Sequence, residues 1–336
     1  MIRIAIVCFL ISYVNCLNCS SEINVSELRE ALKKITTHLK TEVQYEDGAL
    51  FISSARAGKS TLINYLLGNT LISSKRSKYD SLSMILPDKN VKGPEIDAGP
   101  VTKTTILSRW TSPNLTDLSL WDSPGFSNDK NRMDEIMKAL SNIQLMKNVK
   151  SLKFVLVINT QDILNDYSVP FLSLLNDVAN FFGNKIQNFL PSMSFIFSRA
   201  PHILNQALVD RDFINYLLHS RYLNIDELQL PSQVKEILSY ITKNNNQIGL
   251  FKKLNRAGVV TSDFDDNISG SIKTASSVNN TILRNIRPYL STETKTCLYE
   301  TKAKLLSPSE FNDSEQDVLQ ELTENLLILL SESEAV

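Results

Sequence analysis

The run Ser53-Ser54-Ala55-Arg56-Ala57-Gly58-Lys59-Ser60-Thr61 contains the residue types that bind phosphate. It follows the spacing Gly-x4-Gly-Lys-Ser/Thr, except that Ser53 stands where that pattern has its first glycine. Gly58 lets backbone N–H groups face an anion at the start of a helix, where the helix dipole also favours negative charge. Lys59 would reach the β- and γ-phosphates of a nucleoside triphosphate, and the Ser60 hydroxyl would ligate Mg²⁺. Asp122-Ser123-Pro124-Gly125 supplies a second half: a carboxylate that holds the metal, usually through water, and a Gly125 N–H that can sense the γ-phosphate. Such a tetrapeptide also makes an ordinary turn. Between the two lies Thr102-Lys103-Thr104-Thr105, beginning 20 residues before Asp122. A threonine that closes over Mg²⁺ belongs there, Thr102 first and Thr105 second; β-branched residues opening a strand are the plainer account.

These groups need elements to hold them. The apolar run Ala49–Ser53 reads as a strand entering the loop. Leu62, Ile63, Leu66 and Leu67 give the helix that leaves it, ending at Gly68. A helix is expected before this unit over 23–40, with Ser26 as N-cap. Residues 73–100 read as a long polar loop with room for a minor hairpin. Strands are expected at Leu107–Trp110, Leu115–Trp121, Leu152–Ile158 and Ser194–Ser198, with helices over 130–148 and 167–182. Helix-like stretches follow at 203–222 and 231–243, and the tail from 263 is mostly helical. Its last part, Val318–Leu330, is apolar but too short to span a bilayer, and reads as a docking helix. Strand and helix alternate through 49–198, which predicts an α/β fold with a mainly parallel sheet covered on both faces.

Taken together, the phosphate loop, Thr102-Lys103 and Asp122-Ser123-Pro124-Gly125-Phe126 resemble the GTPase class of phosphate-loop NTPases over about residues 46–200. Thr61-Leu62-Ile63-Asn64-Tyr65-Leu66-Leu67-Gly68 looks like septin-like and immunity-associated GTPases. Arg56 and Thr102-Lys103 look like the guanylate-binding and atlastin branch of the dynamin superfamily. The resemblance implies a three-layer G domain, extended here to 46–262; the residue pattern itself gives the preceding helix at 20–45 and the helical C-terminal region at 263–336. It implies GTP/GDP and Mg²⁺ as ligands, self-association through the G-domain face, and slow hydrolysis in a switch or assembly role. Arg56 would act as an internal arginine finger. Phe126 replaces the glutamine that positions water in small GTPases. The base-reading motif belongs after Ser194–Ser198, where the chain has Ser198-Arg199-Ala200-Pro201: Arg199 matches the guanylate-binding branch and the following Asp is missing. Asn159-Thr160-Gln161-Asp162 lies one strand early, leaving Asp162 as a minor candidate. ATP, and a non-catalytic pseudo-GTPase, remain open alternatives.

The 336 residues carry 35 Lys+Arg, 36 Asp+Glu and 10 Gly. A net charge of −1 gives no basic surface for nucleic acid. Residues 1–19 place an Arg before the apolar run Ile4–Val14, the layout of a secretory signal or targeting segment with cleavage after Cys16; a buried strand or helix is the alternative, with a cytoplasmic protein. Cleavage would leave Cys19 and Cys297, whose spacing suggests neither a metal site nor a disulfide framework. His38, His202 and His219 lack ligand spacing. The C-terminal helices remain a possible membrane or protein contact.

Overall fold

The computed structural model describes residue 19 and residues 23–75, 77–79, 82–88, 90–96, 106–125, 131–165, 169–225, 228–253 and 257–331. The segment 1–18, Thr102 with its neighbours through Thr105, and Phe126 lie outside the described residues.

Helix α1 spans Val25–Glu42. Its N-cap is Asn24, not Ser26, because the Asn24 side chain accepts from the Glu27 N–H at 3.2 Å while its own backbone is extended. Strand β1 (Asp47–Ser53) leads to helix α2 (Lys59–Leu66). Strands β2 (Ser108–Ser112) and β3 (Leu115–Asp122) form a hairpin, followed by helix α3 (Arg132–Asn148) and strand β4 (Ser151–Asn159). Next come α4 (Val169–Phe182), β5 (Met193–Ala200), α5 (Arg211–Leu218), α6 (Ser232–Lys243) and β6 (Ile248–Lys252). The chain closes with β7 (Asp265–Asp266), α7 (Ile268–Thr274), β8 (Val278–Asn279), α8 (Thr292–Leu305) and α9 (Gln316–Leu330).

The main sheet runs β7-β6-β5-β4-β1-β3-β2, with β8 paired antiparallel to β4. The pairs β1–β3, β1–β4, β4–β5 and β5–β6 are parallel, whereas β2 and β7 close the edges antiparallel. This is a mixed α/β architecture with a mostly parallel sheet. Its strands are apolar without alternation because both faces are covered. Leu50 and Ile52 of β1 enter one core with α1, α3, α8 and α9, while Ala49 and Phe51 enter the other with Leu62, Ile63 and Leu66 of α2.

Residues 203–208 are not helical. Ile203–Leu204 pairs antiparallel with Ala207–Leu208. Asn205 and Gln206 take φ of 48° and 67°, the backbone of a two-residue hairpin turn. The expected minor hairpin in 73–100 is present as Ile72–Ser74 against Ser83–Ile85.

The helical layer is tied to itself through polar contacts. Buried Arg29 of α1 donates to the carbonyls of Lys304 and Leu305 at 2.5 and 3.2 Å, satisfying the end of α8, and pairs with Glu310 at 2.6 Å. Leu322, Leu326 and Leu329 of α9 are buried within the chain itself, where α9 packs on α1 and α3. Among the described residues no helix is long and apolar enough to cross a membrane. The expectation that Cys19 and Cys297 stay unlinked is corrected. They form a disulfide across 278 residues, with Cα atoms 5.1 Å apart, because α8 folds back beside the start of α1.

Asp177 on α4 is half-buried, and burial pushes its carboxyl up to about 6. The fold therefore favours the protonated form. Stability is full below the ordinary carboxylate pKa near 4 and declines as pH rises toward 6. Asp177→Asn is expected to stabilise the protein by about 1–2 kcal/mol at pH 7, with no gain at pH 4. Urea unfolding at the two pH values checks this; an equal effect at both would exclude Asp177 as the source.

Candidate functional site

The parallel strands end together at one edge of the sheet. Register places Phe51 beside Asp122, Ser53 beside Val157, and Asn159 beside Ser198. Ser53, Asp122 and Ser198 thus sit at the carboxyl ends of β1, β3 and β5 around the loop 54–58. The chain leaves β1 toward β3 on one side and toward β4 on the other, and open α/β sheets form ligand crevices at such a switch point.

Gly58 has φ 92°, ψ 18° and immediately precedes α2. A side chain there would be strained, so the glycine is needed for the turn into the helix. Gly125 is buried, and a Cβ on it would lie 3.3 Å from the Ser53 carbonyl oxygen and 3.4 Å from the Ala55 nitrogen. The turn after β3 therefore approaches the loop backbone to backbone. Ser123 reinforces this contact, its hydroxyl donating to the Phe51 carbonyl at 2.6 Å. On the far side, the buried Ser198 hydroxyl donates to the Ala57 carbonyl and lies 3.2 Å from the Ile158 carbonyl, while Thr160 Oγ1 donates to the Ser198 carbonyl at 2.7 Å. Ser198 is thus a tether between the loop and the central sheet.

Lys59 and Asp122 come together as a buried ion pair, Nζ to Oδ1, with side chains 7% and 1% exposed. Ser60 Oγ lies 3.4 Å from Asp122 Oδ2. A hydroxyl and a carboxylate facing each other are hard oxygen donors of the kind Mg²⁺ takes. Among the described residues no group of three His, Cys, Asp or Glu side chains could hold a metal. A site with one carboxylate and one hydroxyl does not need such a group.

Ala55 and Arg56 are exposed at the loop tip, Ser54 and Thr61 are half-buried, and Ala57 is buried beneath it. Arg56 has φ 62°, a left-handed backbone that costs a non-glycine residue about 1 kcal/mol. Such strain clusters at ligand sites. Arg199, at the end of β5, is likewise left-handed, with φ 54°. The residue as a whole is exposed, yet desolvation lowers the pKa of its guanidinium; the Asp162 charge opposes the shift and the Arg56 charge adds to it. The charges of Asp162 and Arg56 are therefore both felt at Arg199.

Thr102 and Thr105 lie outside the described residues, so their relation to Ser60 and Asp122 is not part of this geometry. Sequence reasoning missed the roles of Ser123, Thr160 and Asn64. Asn64 Nδ2 reaches the Pro94 carbonyl at 2.7 Å and ties the insertion to α2. Nothing in the type or spacing of these residues marks them, because each acts through a carbonyl distant in sequence. A scan against protein-family models finds none that matches the chain, and a search of curated proteins finds no match either.

Proposed function

We propose that the chain binds a nucleoside triphosphate with Mg²⁺ at the carboxyl end of β1, and that it is a GTPase of the switch or assembly kind on a G-domain scaffold. The observation that carries this is the convergence of left-handed Gly58, Lys59, Ser60 and Asp122 at one loop-to-helix junction. The strand order supports it, since the loop stands at the switch point of a parallel sheet. Backbone N–H groups at the start of α2 would face the phosphates, and Lys59 would exchange Asp122 for phosphate oxygens. Bound Mg²⁺ would neutralise charge between the β- and γ-phosphates, with Ser60 and Asp122 on its protein side. Hydrolysis transfers the γ-phosphoryl group to water, giving GDP and inorganic phosphate. Arg56 is the side chain available to stabilise charge on the group in flight.

A second reading is a binding module without catalysis. The Lys59–Asp122 pair favours it, because the two groups that would meet phosphate and metal already satisfy each other. Titration calorimetry with GTP and ATP, each with and without Mg²⁺, tests both. Saturable, Mg²⁺-dependent binding is expected. No binding of either nucleotide would refute the proposal, and tighter binding of ATP would reassign the nucleotide. Binding without turnover would favour the second reading.

Replacing Arg56 separates its two roles. Arg56→Gly removes left-handed strain and should raise stability by roughly 1 kcal/mol. It should lower kcat about 100-fold while Kd stays within about threefold. Equal losses in affinity and turnover would argue against a role confined to the transition state.

A further inference from the structure

We propose that Asn114 is an N-glycosylation site, carrying an oligosaccharide on its side-chain amide, and that the sequon at Asn267 stays unmodified. The chain contains six Asn-x-Ser/Thr sequences without proline at the middle position, at Asn18, Asn24, Asn114, Asn267, Asn279 and Asn312. Asn18 lies outside the described residues. Spacing alone does not rank the others. The fold does, because the sugar is borne by Nδ2, which must be unspent and open to solvent. The Cys19–Cys297 bridge supplies the setting, since disulfides form and persist in the oxidising compartments through which glycosylated proteins pass.

Asn114 meets both conditions. It is exposed, with Pro113, in the two-residue turn between β2 and β3, where Ser112 pairs with Leu115. The turn is held from below: the Ser112 hydroxyl donates to the Leu66 carbonyl at the end of α2 and accepts from the Asn114 N–H at 3.1 Å. The backbone is thus fixed, while the Asn114 side chain makes no hydrogen bond among the described residues. Thr116, whose hydroxyl completes the sequon, is exposed too. Strand β3 has eight residues, so at about 3.3 Å per residue the turn stands roughly 25 Å from its Asp122 end. A glycan there clears the phosphate loop and crowds the open edge of β2, the kind of unpaired edge that proteins cover against aggregation.

Asn267 fails where Asn114 succeeds. Its Nδ2 donates to the Ile248 carbonyl at 2.9 Å and reaches that of Asn246 at 3.3 Å, and its Oδ1 fills the space that a Cβ on Gly270 would take. A sugar on that nitrogen would have to displace the start of β6. Asn24, Asn279 and Asn312 are exposed and each caps a helix through Oδ1, so a glycan on Nδ2 would leave those caps in place. In the transfer, Asn114 Nδ2 attacks the anomeric carbon of a lipid-linked oligosaccharyl diphosphate. The C–N bond forms as the C–O bond to phosphate breaks. The lipid diphosphate leaves with the electron pair, and the amide proton goes to a base of the transferase.

The test is to produce the full chain in cells with a eukaryotic secretory pathway, release glycans with peptide N-glycosidase in heavy-oxygen water, and map the peptides by mass spectrometry. Asn114 should be recovered as heavy-oxygen aspartate and Asn267 as unlabelled asparagine, in protein whose residues 19 and 297 are joined. Asn114→Gln and Thr116→Ala break the sequon from its two ends. Each should lose the same single step of electrophoretic mobility, Thr116→Ser should keep it, and Asn267→Gln should lose none. An unlabelled Asn114 in bridged protein would overturn the inference, and so would label at Asn267. Protein recovered with both Cys19 and Cys297 as thiols would overturn it as well, because the chain would not have met an oxidising compartment. None of these outcomes bears on nucleotide binding.

Discussion

Lys59→Ala is expected to weaken nucleoside triphosphate binding by about 10³-fold and to destabilise the ligand-free protein by roughly 3–5 kcal/mol. Both effects arise from the same ion pair. Lys59 and Asp122 are 63 residues apart in sequence, yet both are almost fully removed from water. A buried pair contributes little net stability relative to apolar residues, but removing one partner leaves the other charge uncompensated in a low-dielectric site. In Lys59→Ala that charge is Asp122, with Ser60 Oγ at 3.4 Å as the hydrogen-bonding side chain left to it among the described residues. The nucleotide effect has a separate origin, the loss of a charge-assisted contact to phosphate.

A double-mutant cycle separates the two. Lys59→Ala with Asp122→Asn should regain most of the stability, because no unpaired charge remains, while nucleotide affinity stays lost. Urea unfolding reads the first quantity and calorimetric titration the second. A single variant as stable as wild type would show that Asp122 is not held charged by Lys59 alone. Unchanged affinity would remove Lys59 from the phosphate site.

Cys297→Ser should lower stability by about 2–5 kcal/mol under non-reducing conditions. Closing a loop of 278 residues removes much of the unfolded chain's freedom, and the chain-entropy model places the gain near the top of that range. Cys297 is fully buried on α8, and the Arg132 guanidinium donates to its sulfur at 3.2 Å. Reductant supplies the control. Dithiothreitol should bring wild type to the stability of Cys297→Ser and leave the variant unchanged. Peptide mapping without reduction should recover residue 19 joined to residue 297. A wild type indifferent to reductant would mean that the bridge does not form. A bridge that persists is expected in an oxidising compartment.

Several elements were legible in the sequence because their causes are local. The step from Ala49–Ser53 through Gly58 into Leu62, Ile63 and Leu66 is one strand, one turn that needs a left-handed glycine, and one helix, all set by neighbours in the chain. The parallel sheet was legible for a similar reason, since apolar runs without alternation require cover on both faces. The stretch 203–208 was misread because Ile203, Leu204, Ala207 and Leu208 satisfy helical spacing. Asn205 and Gln206 adopt positive φ instead, and the segment closes on itself as a hairpin.

By itself, then, the sequence determined the α/β alternation and the glycine-bearing loop that leads from strand to helix. Only the tertiary structure decided which side chains meet. The β1–β3 register brings Asp122 to Lys59, the β4–β5 register sets Asn159 beside Ser198, and the return of α8 brings Cys297 to Cys19. Residue type and spacing carry torsional preference and periodicity, which act over a few residues. Contacts across 63 and 278 residues depend on how whole elements pack, and that is a property of the folded chain.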